Sequence, residues 1–139
     1  MPDLDPLFHA FAALFAGGAA ASGWTASVIV ANTSFDGLDH GRADRHLRQV
    51  LVASAGFQAA LLGVAAGFAV MSGAMGAFIT AGLAALGFLS NIWTLAPRRE
   101  KMPEGVKKRG STRRVLAVSM TLMVTAVALT AAGLAAFGV

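Results

Sequence analysis

Side chains able to take part in chemistry are few in this chain, and they gather in two kinds of place. One is a short segment holding Asp36, Asp39, His40, Asp44 and His46 within eleven positions. Imidazoles and carboxylates at such spacing are ligands for Zn²⁺ or another divalent ion, and His40 and Asp44, four apart, would share a helix face. Three arginines, Arg42, Arg45 and Arg48, are interleaved with them. Their positive charge opposes a bound cation, and Gly37 and Gly41 interrupt a regular scaffold. A solvated polar loop is therefore expected here, with no metal; His40, Asp44 and His46 are the only candidates for one.

The other place is the middle of long uncharged runs, where Gln58 and Asn91 are the strongest polar groups. Gln58 follows Arg48 by ten positions and Asn91 precedes Arg98 by seven, so on helices they lie about 15 Å and about 10 Å from the charged ends. An unpaired amide in hydrocarbon costs several kcal/mol, so each needs a partner. That partner is a hydroxyl or carbonyl of another helix, or else the amides line a ligand or ion path together with Thr25, Ser54, Thr80, Ser90 and Thr125. His9, near the start of the first run, reads as a headgroup-level histidine. As a haem or metal ligand it would want a second His or Met opposite. No other ionisable side chain lies within the runs, which argues against proton- or ion-coupled transport. There is no cysteine, so disulfides, thiolate metal sites and cysteine nucleophiles are excluded. Nucleotide-loop, nucleophile-elbow and zincin motifs are missing as well. No cofactor follows from these residues.

The elements that must position these groups are apolar helices. Of 139 residues 56% are hydrophobic and only 13% charged, against about a quarter charged in a soluble domain. No Asp, Glu, Lys or Arg falls in Leu7–Ala31, Val50–Met71, Met75–Ala96 or Val115–Val139. Each stretch meets the requirement of about 20 residues for crossing a bilayer. The expectation is an all-α, integral membrane four-helix bundle in a single domain, with helices over about 7–31, 44–71, 75–96 and 113–138. Asp3 and Asp5 before the first stretch are the wrong flank for a cleavable signal, so that helix is expected to be retained.

All eleven basic side chains lie in two loops: Arg42, Arg45 and Arg48 in the first, and eight from Arg98 to Arg114 in the second. The positive-inside rule places both loops in the cytoplasm and both ends outside, as in a bacterial inner membrane. Trp24 and Trp93, near the loop ends of their helices, suit that interface. The basic pI of about 10.8 then speaks for anionic headgroups as partners and not for nucleic acid.

Small residues mark the helix faces, above all Gly63-Val64-Ala65-Ala66-Gly67, a GxxxG that allows close backbone approach to another helix, inside the bundle or between copies. Asn32–Gly37 reads as a helix exit and turn, and Met71–Met75 as a tight antiparallel hairpin. Trp24-Thr25 recurs as Trp93-Thr94 at an offset of 69, and Arg48-Gln49-Val50-Leu51 as Arg113-Arg114-Val115-Leu116 at 65. These echoes suggest two duplicated helix–loop–helix halves.

Four helices, an external N-terminus and the stretch Arg42-Ala43-Asp44-Arg45-His46-Leu47-Arg48-Gln49 opening helix two resemble the MAPEG family of membrane proteins in eicosanoid and glutathione metabolism. The resemblance covers the architecture of the whole chain and about ten residues of sequence. It implies a homo-oligomer, typically a trimer, with glutathione held between subunits by Arg42, Arg45, Arg48 and Gln49, aided by Arg98 or Arg113. Val52 and Ala53 stand where the family places a Glu, a departure that weakens the implied chemistry.

Three function classes follow. The first is a bundle that acts by helix packing, as a homo-oligomer or an accessory subunit, holding at most a lipid or apolar ligand. A glutathione-dependent enzyme is the second, and it needs Arg45, Arg48 and Gln49 to converge between helices. A passive channel, the third, needs Gln58 and Asn91 on one continuous path.

Overall fold

The computed structural model describes residues 4–95 and 110–139, less the side chains of 35, 40, 95 and 110–114. The second basic loop, Arg98 to Arg109, lies outside the described residues, as do the side chains of Arg113 and Arg114. All described elements are helical: α1 (Asp5–Trp24), a π-helical turn (Thr25–Ile29), α2 (Val30–Gly37), α3 (His40–Met71), α4 (Met75–Leu95) and α5 (Gly110–Phe137). With α1, the π turn and α2 running on as one rod, four helices are long and apolar enough to cross a membrane. They form a square in which α1 neighbours α3 and α5, and α4 neighbours the same two.

The helices bury seams rich in small residues, recurring at spacings of three and four. α1 buries Ala12, Ala16, Ala19 and Gly23, continued by Ala26 in the π turn, and α4 buries Ala77, Ala81, Ala84, Phe88 and Asn91, preceded by Ala74 of the turn. α3 contributes Leu51, Ala55, Gln58, Leu62, Ala65 and Ala69, and α5 contributes Ala117, Thr121, Thr125, Ala128, Ala131 and Ala135. In lipid no solvent pressure drives apolar side chains together, so close van der Waals contact between backbones does the holding. The approach is tightest at Gly23, where an added Cβ would collide with the Thr125 hydroxyl and come within 3.2 Å of the Phe88 ring. At the opposite end Phe11 and Phe15 stack on Phe68 at 5.3 and 5.9 Å, joining α1 to α3.

Sequence expectations need correction at two points. Asn32–Gly37 is helical and not a turn, and α3 already begins at His40. Asp39, extended at φ −55° and ψ 144°, provides the break instead, and its carbonyl accepts the N–H groups of Arg42 and Ala43. The spans of α1 with α2 and of α3 therefore reach 30 and 31 residues among the described residues.

The repeated motifs differ in burial: Leu51 is buried whereas Leu116, its partner at an offset of 65, is 61% exposed. The buried positions of α1 and α4 match at an offset of 65, and those of α3 and α5 at 66 except at Gln58, which falls on half-buried Val124.

Candidate functional site

Each buried amide is consumed by a bond between helices. Gln58, on the inner face of α3, is buried and its Nε2 donates to the Ser22 hydroxyl of α1 at 3.3 Å. Asn91 of α4 is likewise buried and donates from Nδ2 to the Thr121 hydroxyl of α5 at 3.1 Å. Thr121 passes its own proton to the Ala117 carbonyl at 2.9 Å. The two amides thus lock opposite helix pairs and are not brought to a common site. The hydroxyls are spent in the same manner: Thr25, Thr80 and Thr125 each donate to the carbonyl four residues back, and Ser54 and Ser90 to the one three back. Their donors are thus satisfied within their own helices.

The side chains that would hold an anion sit on the surface of one helix. Arg45 and Gln49, four apart, are exposed, as are Arg42 and His46. Arg48, half-exposed, makes an ion pair with Asp44 at 3.1 Å one turn away. These groups form the basic flank at the start of α3; Val52 and Ala53 continue it with no carboxylate. Asp36 and Asp39 are exposed at the adjoining end of α2. Among the described residues no three His or acidic groups cluster to hold a metal, and the His40 side chain lies outside them.

His9 is placed at the far end of the bundle from this flank. Its Nδ1 is buried without a hydrogen-bond partner, and its ring packs against Gly138, where an added Cβ would come within 3.3 Å of Nε2. A wide, open hollow of about 600 Å³ adjoins it between the ends of α1 and α5, bordered by Pro6, Ala10, Ala13 and Phe137. Neither a second histidine nor a methionine borders the hollow.

What the sequence did not reveal is the direction of the glycine motif. Gly63 and Gly67 point away from the bundle, together with Gly56 and Ala60, and an added Cβ at any of the three glycines would meet nothing within 4 Å. On α3, positions 56, 60, 63 and 67 recur at intervals of three and four, so they form one stripe. The stripe continues through Gln49 to Arg45 and Arg42. Only the absence of bulky residues at this spacing hinted at it, and the inner seam of α3 has a similar look. Comparison with protein-family models, curated proteins and solved structures finds no match for the chain.

Proposed function

We propose that this protein is an inner-membrane packing subunit that acts by self-association, with the outward face of α3 as its docking seam. The observation that carries this reading is that face itself. Glycine in a helix interior costs about 1 kcal/mol relative to alanine, and Gly56, Gly63 and Gly67 gain no compensating contact within the chain. A second transmembrane helix would supply it, because small residues let two backbones approach and gain van der Waals contact. The basic flank of α3 sits at the cytoplasmic headgroups, with both chain ends outside, as the positive-inside rule orients it.

The test is native mass spectrometry of the protein released gently from its own membrane, alone and as Gly63→Leu. An oligomer of identical chains that falls apart in the variant is the expected result. Single chains throughout, with or without bound lipid, would overturn the reading, and a fixed ratio to another protein would make this chain an accessory subunit. Glutathione retained by the oligomer would instead favour enzyme chemistry at Arg42, Arg45 and Gln49.

A further inference from the structure

The outward face of α3 has a counterpart in the same chain. Along α1 and its continuation the exposed positions Gly18, Ala21, Thr25, Asn32 and Asp36 also line the outside, with Gly18 at the edge, where an added Cβ would reach Leu61 of α3 at 3.9 Å. The Ser22–Gln58 bond and the stacks of Phe11 and Phe15 on Phe68 set the antiparallel register of α1 against α3. In that register Gly18 is level with Gly63, Ala21 with Ala60, Thr25 with Gly56, Asn32 with Gln49, and Asp36 with Arg45. The two faces are therefore matched depth by depth: small against small through the membrane, amide against amide above it, acid against base at the end carrying the first basic loop.

Within one chain these faces cannot meet, since α1 and α3 already touch along their inner seams. Between copies they can. Two identical chains inserted with the same orientation are related by rotation about the membrane normal, and such a rotation leaves depth unchanged. Residues level in one chain are thus level across two. We infer that the partner covering the α3 face is a second copy of this chain, docked through its Asp36–Asn32–Ala21–Gly18 face, so that Asp36 of one copy meets Arg45 of the next. This inference rests on the self-association proposed above and names its geometry.

Charge selects this arrangement over the simpler one. In a two-fold dimer through α3 the helices would run parallel, and Arg42 and Arg45 would face their own copies. Like charges held together at a rim disfavour that contact. Among the described residues Asp36, Arg42 and Arg45 have no ion-pair partner within the chain, whereas Arg48 and Asp44 satisfy each other. A contact between two different faces is heterologous. Because α1 and α3 occupy adjacent corners of the square, successive copies turn about a common axis, and a ring forms where that rotation closes.

The chain has no cysteine, which makes the test direct. Two single variants, A21C and A60C, are expressed separately and together in native membranes and then oxidised. Both positions are exposed, so neither substitution disturbs the bundle. The expected result is a disulfide-linked dimer only when the two are co-expressed. Cross-linking of A60C with itself would overturn the inference while leaving self-association through α3 intact. No cross-link in any combination, with single chains by mass, would overturn both. A charge exchange provides the second arm: D36R or R45D alone should lower the mixed cross-link severalfold, and the double variant should restore it. Failure of the exchange to restore the yield would remove the Asp36–Arg45 contact.

Discussion

Gly23 and Gly63 show how differently the same residue is used on two faces of the bundle. At Gly23 the α1 backbone presses on Thr125 and Phe88, and the Thr125 hydroxyl is tied to the Thr121 carbonyl at 2.8 Å, so it cannot swing aside without losing that bond. Gly23→Ala should therefore destabilise the isolated chain by about 1–3 kcal/mol, the range for overpacking, whereas Gly63→Ala should leave it unchanged or slightly more stable. Thermal unfolding of both variants in a mild detergent, at concentrations where the protein is monomeric, checks the contrast. Equal stability would mean that helix packing does not distinguish the two faces. The sequence shows both as glycines in apolar runs and cannot separate them, because which face turns inward is decided by the neighbouring helices. Gln58 and Asn91 were more legible. An amide in hydrocarbon must be paired, and the structure supplies Ser22 and Thr121; only the identity of the partners required the fold.

At the scale of elements, the helices were legible because charge is excluded from them so completely. Their ends at the first basic loop were not. Asn32, Thr33, Asp36 and Gly37 are poor helix formers and read as a turn. Packing overrides that preference: Ser34 and the face of α2 formed by Val30 and Ala31 are held against α3, where Ala43 and Leu47 are buried. The opposite turn is fixed locally. Gly73 has φ +73°, a conformation that costs a side-chain-bearing residue about 1–2 kcal/mol. Ser72 and Gly73 donate to the carbonyls of Phe68 and Val70, closing α3 before α4 begins. Gly73→Ala should lower stability by about that amount without changing the oligomer, as unfolding and native mass together would show. A change in oligomeric state would mean that the turn, and not the α3 face, governs assembly.

For the molecule as a whole, the two ends differ in charge, and the proposed orientation follows from that asymmetry. In right-side-out cells a membrane-impermeant maleimide should label S72C readily and D39C only after the membrane is opened. The reverse pattern would turn the protein over and take the basic flank away from the cytoplasmic headgroups. It would leave the geometry of self-association untouched, because rotation about the membrane normal preserves depth in either orientation. The function class was the least legible feature. The stretch from Arg42 to Gln49 resembles a glutathione-binding segment in composition, yet on the folded chain its free arginines face outward from a single helix. Whether such groups form a site is decided by what lies beside them in the assembled membrane, which one chain's sequence does not encode locally.

The alanine seams carry a thermodynamic consequence. Alanine has no side-chain rotamers to lose on burial, whereas leucine or methionine gives up about 0.5–2 kcal/mol of rotamer freedom. A core built mostly from Ala12, Ala16, Ala19, Ala55, Ala65, Ala81, Ala84, Ala128 and Ala131 is ordered almost without that penalty. It also has few ways to rearrange, since methyl groups on a rigid backbone offer no alternative packing. Such a bundle should behave as a stiff plank in the bilayer. Local thinning or curvature would tilt it as one body.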